Sequence, residues 1–212
     1  MVVIFIFSLL AFAFSTGGWP VRQKQEQLRA AMNMMVAYLR EAKMAAIEKD
    51  QNYVMALSGN QYTIFADPDG DGVYTLNTTP AHLILKQVDV GVTNPGVSIN
   101  ATNFGANAVL WFNPALMGFP GVNQHPSRGV SNTQPYFPNN NCGANGAPAA
   151  CAAVAGCAWM SSGAGGQCIP GYRITLGNSL GTTANIIVSY AGMIDVTPCG
   201  AASNCMDMTY RP

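Results

Sequence analysis

The chain has 212 residues, room for one domain of ordinary size plus an extension. Only 9% of them are charged, and ten basic residues cancel ten acidic ones, which argues against a broad electrostatic nucleic-acid footprint. Fifteen of the twenty charges precede residue 101, and the second half is rich in Gly, Ala, Asn, Ser and Pro, as in many surfaces that live outside the cytoplasm.

Met1 to Phe14 form an uncharged apolar run carrying Val2, Ile4, Phe5, Leu9, Leu10 and Phe12. As a helix these fourteen residues span about 21 Å, whereas a bilayer core takes roughly 20 apolar residues. Residues 1–20 therefore read as a hydrophobic segment, either part of a longer membrane helix or the core of a secretory signal. Ala11-Phe12-Ala13 fits the small-x-small pattern of signal cleavage, but the first charge is Arg22, so no basic stretch precedes the run. Gly17, Gly18 and Pro20 are expected to interrupt a helix here, Gly through backbone entropy and Pro through its missing donor.

An amphipathic helix is predicted from about Val21 to Lys49, within a segment 21–50 that packs on a sheet. Leu28, Met32, Met35, Leu39, Ala42, Ala46 and Ile47 recur at helical spacing, while Arg22, Lys24, Glu26, Arg29, Arg40, Glu41, Lys43 and Glu48 fill the other faces. Core packing explains the methionines better than any cofactor role.

Beyond Asp50 the period becomes that of strands, and residues 51–212 read as a β-rich domain. Tyr53–Leu57 and Gln61–Ala66 flank the turn Ser58-Gly59-Asn60 as a hairpin. Further short strands are predicted at Val73–Leu76, His82–Val90, Gly96–Ile99, Val109–Phe112, Tyr172–Leu176, Asn185–Tyr190 and Met193–Val196. Residues 113–171 read as loop, with seven prolines and four cysteines, and a loop of that length is expected to be cross-linked or functional.

All six cysteines, Cys142, Cys151, Cys157, Cys168, Cys199 and Cys205, fall in the last third. An even number in low-charge sequence behind an apolar N-terminus reads as three disulfides formed in an oxidising compartment. Short separations favour Cys199 with Cys205 and two bridges within 142–168, although six cysteines allow 15 pairings. Zinc is disfavoured, since no C-x-x-C pair occurs and His82 and His125 stand far from the cysteines in sequence.

The sharpest local pattern is Asp67-Pro68-Asp69-Gly70-Asp71-Gly72. Alternating carboxylates before a glycine resemble the first half of a calcium loop, with Asp67, Asp69 and Asp71 as ligands. Position 78 would want a bidentate Glu and holds Thr, so a plain turn built by Asp and Gly is favoured over calcium. No other cofactor and no small-molecule substrate are expected. Neither histidine lies in a nucleophile motif, no phosphate loop is visible, and an enzyme is not expected. Trp111, Phe112, Tyr136, Phe137, Tyr172 and Tyr190 could stack bases, yet few Lys or Arg accompany them, so core packing is the better reading.

The order of these segments resembles the type IV pilin superfamily. LRAAMNMMVAYLREAKMAAIEKDQNYVMAL followed by YTIFADPDGDGVY is similar to the GspH/FimT family of minor pseudopilins and minor pilins, in which an R-x-E-A-I helix leads into a strand and an F-x-D-x-D-G-D-G hairpin. VLWFNPALMG at 109–118 and ANIIVSYAGMIDV at 184–196 are similar to that family's F-x-P-x-G region and its closing strand pair. The Cys-rich stretch 119–171 then looks like an insertion.

The resemblance implies an α+β, pilin-like fold: a long N-terminal helix packed on an antiparallel sheet domain with a disulfide-rich C-terminal region. It implies a structural subunit of a type IV pilus or a type II secretion pseudopilus, held in the inner membrane with a periplasmic or extracellular domain, or built into an extracellular filament. Its partners would be other pilins and membrane lipid. Val2, Ile4, Phe5, Leu9, Leu10, Phe12, Gly17, Gly18 and Pro20 would form the assembly helix. Mature pilins of this kind begin F-T-L-I-E-L-M, so Met1 matches the seventh position and a glutamate is expected to be encoded upstream. Some members bind DNA through basic residues after the last glycine. Here Gly192 is followed by Met193, Ile194 and Asp195, so nucleic acid is not an expected partner and a DNA- or ligand-binding module is the second reading.

Overall fold

Leu28, Ala31, Met32, Met35, Leu39, Ala42 and Ala46 are separated by steps that return to one face of an α-helix. In the computed structural model, which describes residues 19–70, 74, 82–102, 109–113, 119–122, 151, 157–162, 165–189 and 192–197, they lie on helix α1, Trp19–Lys49. None of the seven is more than 2% exposed. At 31 residues α1 is about 46 Å long.

Three local expectations change here. Pro20 sits in the first turn, where its missing N–H costs no intrahelical bond, so it does not interrupt the helix. Val36 joins the buried stripe, whereas Ile47 is 45% exposed, having rolled off the packed face in the last turn. Gly17 and Gly18 lie outside the described residues, as do Val2, Ile4, Phe5, Leu9, Leu10 and Phe12. The helix ends with Asp50 at φ 49° and Gln51 N–H donating to Ala46 O at 3.3 Å, the six-to-one bond of a left-handed helix cap.

Among the described residues ten strands follow: β1 (Tyr53–Ser58), β2 (Gln61–Ala66), β3 (Ile84–Asp89), β4 (Val97–Thr102), β5 (Val109–Asn113), β6 (Phe119–Val122), β7 (Cys157–Ser162), β8 (Gly165–Asn178), β9 (Thr183–Ser189) and β10 (Ile194–Thr197). A short helix α2, Val90–Thr93, stands between β3 and β4. Val90, expected to close a strand, instead opens α2 because the Asp89 carboxylate accepts the Val92 N–H at 3.1 Å and caps the turn. Of the predicted strand Val73–Leu76 only Tyr74 is described, and it lies outside any strand.

The strands form two antiparallel sheets, ordered β3-β2-β1-β5-β6 and β10-β9-β8-β4, with β7 pairing the first part of β8. The fold is therefore α+β, with a long N-terminal helix and antiparallel sheets. Helix α1 packs against both sheets over one continuous core. Met55, Leu57, Tyr62, Ile64, Leu110 and Phe112 enter it from the first sheet, and Tyr172, Ile174, Leu176, Ile186 and Val188 from the second. Period-two alternation puts these residues on one face of their strands.

The segment 113–171, expected to be loop, carries β6, β7 and the start of β8. Phe-Pro-Gly-Val, Cys-Ala-Trp-Met-Ser-Ser and Gly-Gly-Gln-Cys-Ile-Pro show no apolar–polar alternation, but their backbone groups pair all the same. Cys157 faces Pro170 and Ser162 faces Gly165 in the β7–β8 register. At Gly171 the strand passes to β9, starting with Gly171 opposite Ser189. A Cβ on Gly171 would sit 3.0 Å from Val188 O, which explains the glycine at this close approach.

Candidate functional site

The site grows from the pairing of β2 with β3. From Gln61↔Asp89 to Ile64↔Lys86 the register is regular, and then a bulge at Leu85 shifts it to Phe65↔Ile84. The next step has Ala66 N–H donating to Leu83 O at 2.8 Å. Continued by one residue, this register sets Asp67 against His82. Without the bulge Asp67 would meet Leu83, which is 68% exposed.

Asp67 and His82 leave the strands on the outer face of the first sheet, away from α1. There Phe65, Val54 and Trp111 lie in a row across β2, β1 and β5, through the pairs Val54↔Phe65 and Val54↔Trp111. The His82 ring stacks on Phe65 with centroids 5.8 Å apart, and Tyr74 meets Phe65 edge-on at 5.4 Å. This apolar platform keeps water from the imidazole, so the side chains of both His82 and Asp67 have no exposed area.

His82 Nε2 donates to Asp69 Oδ1 at 2.9 Å and lies 3.7 Å from Asp67 Oδ1. The three atoms all fall within 4.8 Å of one another, and the Asp69 side chain is 39% exposed, so the cluster opens to solvent on one side. A buried carboxylate requires compensating charge or hydrogen bonds, and this one sits in a turn closed by Gly70 N–H donating to Asp67 O at 3.3 Å. Chemically, the cluster offers one imidazole nitrogen and two carboxylate oxygens to a proton or a cation.

Two of the three candidate calcium ligands, Asp67 and Asp69, are thus brought together. Asp71 lies outside the described residues. His82 was hidden from sequence reasoning because it sits well away from the aspartates and carries no motif. Its only sequence signal was its position at the start of a strand predicted to follow the turn.

The other expected site residues are distributed as follows. Cys151 and Cys168 form a disulfide with Cα atoms 5.6 Å apart, one bridge within 142–168. Cys142, Cys199 and Cys205 lie outside the described residues, and Cys157 is placed only as part of the β7 backbone. Trp111, Phe112 and Tyr172 are buried, as core packing requires. Tyr136, Phe137 and Tyr190 are outside the described residues.

Around Gly192, at φ 70°, the turn between β9 and β10 is held by the helix. Lys43 Nζ donates to Gly192 O at 2.9 Å and Arg40 Nη2 to Ile194 O at 3.4 Å. Both cations stand on faces other than the apolar stripe, as the sequence leads one to expect, and from there both bind backbone carbonyls. Beside them α1 and β10 enclose a cleft of about 310 Å³ lined by Met32, Val36, Arg40 and Asp195 among others.

Comparison with protein-family models, curated proteins and solved structures returns no match for this chain.

Proposed function

We propose that the chain is a structural subunit, a minor pilin or pseudopilin, that assembles into a type IV pilus or a type II secretion pseudopilus through its N-terminal helix. The observation that carries this reading is the uneven burial of α1. Pro20, Val21, Arg22 and Gln23 are exposed, and from Pro20 onward the first buried residue is Leu28. Lys24 is half-buried and its carbonyl takes a hydrogen bond from Asn178 on β8, so the stretch ahead of Lys24 is what extends past the sheets, about 7 Å of helix, and in the sequence it follows the apolar run of residues 1–14 after Ser15–Gly18. A globular protein gains nothing from such an extension, whereas a subunit whose neighbours pack around the emerging helix does.

In this reading the apolar segment first dissolves in the inner membrane and then buries itself among the equivalent segments of adjacent subunits. The two sheets face outward. Among the described residues no helix is long and apolar enough to cross a membrane, so the anchoring role falls to residues 1–18. The resemblance of the helix, hairpin and closing strands to the GspH/FimT family supports the same assignment.

The test uses the full chain in cells that make it natively. The expected result is a protein that stays with membranes through an alkaline carbonate wash. A Val21→Cys variant, at a position 41% exposed, should also cross-link to a neighbouring subunit in sheared filaments or in the secretion complex. A chain released free of membranes, with a mature N-terminus just after Ala13 by mass spectrometry, would instead identify a secreted protein and overturn the proposal.

A further inference from the structure

The cluster at the β2–β3 connection plays no part in filament assembly as proposed, and its donor set is selective. Calcium and magnesium take oxygen ligands almost without exception. An imidazole nitrogen beside two carboxylates suits borderline first-row dications such as Zn²⁺, Mn²⁺ or Co²⁺. With metal–nitrogen and metal–oxygen bonds of about 2.0–2.2 Å, neighbouring ligand atoms stand about 3.0–3.7 Å apart. His82 Nε2 lies 2.9 Å from Asp69 Oδ1 and 3.7 Å from Asp67 Oδ1, so an ion fits with shifts of a few tenths of an ångström.

We infer that Asp67, Asp69 and His82 form a binding site for a first-row transition-metal dication, with Zn²⁺ the strongest candidate, which fastens the β2–β3 connection to the outer face of the first sheet. Binding exchanges one interaction for another. The proton on His82 Nε2 that now bonds Asp69 leaves to solvent or to Nδ1, and the freed lone pair coordinates the ion. Two carboxylates balance the dication's charge, which suits a site where Asp67 has no solvent access. Phe65 and Tyr74 fix the imidazole plane, and the exposed side of Asp69 provides the entry path and room for water to complete the coordination shell. The consequence is mechanical. The ion joins the turn that ends β2, through Asp67 and Asp69, to His82 just ahead of β3.

The full chain, purified in detergent with its disulfides intact and stripped by a chelator, is titrated with ZnCl₂, CoCl₂ and CaCl₂. The result expected is a single equivalent of Zn²⁺ bound, a rise in melting temperature with Zn²⁺ but not Ca²⁺, and a Co²⁺ spectrum of nitrogen and oxygen ligation. Outer partners of metal ligands already contribute 10–100-fold to affinity, so Asp69→Asn and His82→Asn should each weaken Zn²⁺ binding by at least about tenfold. Asp69→Asn changes a partly exposed side chain, and it decides the matter if His82→Asn fails to fold. Preference for Ca²⁺, thiolate-to-cobalt charge-transfer bands, absence of Zn²⁺ binding, or unchanged affinity in Asp69→Asn would each overturn the inference.

Discussion

Replacing Asn178 by Ala should loosen the joint between α1 and the second sheet. Asn178 is 8% exposed at the end of β8, and its carboxamide makes three hydrogen bonds. Its Oδ1 accepts the Leu180 and Thr182 N–H groups, both at 3.0 Å, which shapes the turn into β9, and its Nδ2 donates to Lys24 O at 3.3 Å on the helix. Each net hydrogen bond contributes about 0.5–1.5 kcal/mol, and the longest of the three belongs at the low end. The turn is open to water, since Leu180 is 40% exposed, so the two freed N–H groups are partly rehydrated. The expected loss is about 2 kcal/mol for Asn178→Ala. In a domain of this size, that lowers the melting temperature by about 4–8 °C. Asn178→Asp keeps both acceptor bonds, but it loses the donor to Lys24 O and sets a carboxylate oxygen against that carbonyl, so it should cost about half as much. Urea unfolding followed by circular dichroism measures both variants. Equal losses in the two, or a loss in Asn178→Ala below about 0.5 kcal/mol, would refute the assignment of the turn to this carboxamide.

Tyr62→Phe should leave stability unchanged or raise it by up to about 1 kcal/mol in the same urea assay. The hydroxyl is buried with no hydrogen-bond partner among the described residues, and burial, with Tyr38 nearby, pushes its pKa well up. Replacing Cys151 and Cys168 by Ala together should cost about 3 kcal/mol through release of the 17-residue closure, read as a matching fall in urea midpoint. Asp89 ionises below its ordinary value because Gln61 and then the Val92 N–H bond its carboxylate. A lowered folded-state pKa gives stability that is present above the unfolded value and lost as pH falls through the folded one. The melting-temperature gap between the wild type and Asp89→Ala should therefore close below about pH 4 and hold constant from there to neutrality.

The helix and its first hairpin were legible because their signals are local. A stripe from Leu28 to Ala46 repeats with the helical period, and Gly59, at φ 58°, supplies the positive φ that a two-residue turn between Ser58 and Gln61 needs. The second sheet's strands announced themselves by apolar–polar alternation at Ile174–Leu176 and by a β-branched run at Ile186–Val188. The hairpin of β7 and β8 did not, since four apolar residues in a row, Cys157 to Met160, opposite a Gly-rich partner show no alternation, and the pairing rests on backbone bonds beside the Cys151–Cys168 bridge. Ile47 was misplaced because periodicity cannot say where the supporting sheet ends.

Local sequence is enough to place an amphipathic helix after an apolar run, a β-rich domain after the helix, and Asp67 and Asp69 in a turn. Only the tertiary structure decided that His82 joins those carboxylates and that Lys43 and Arg40 hold the β9–β10 turn. The reason lies in distance along the chain. Period and turn chemistry are properties of a few consecutive residues. The meeting of Asp67 with His82 depends on strand register, and one bulged residue, Leu85, sets that register.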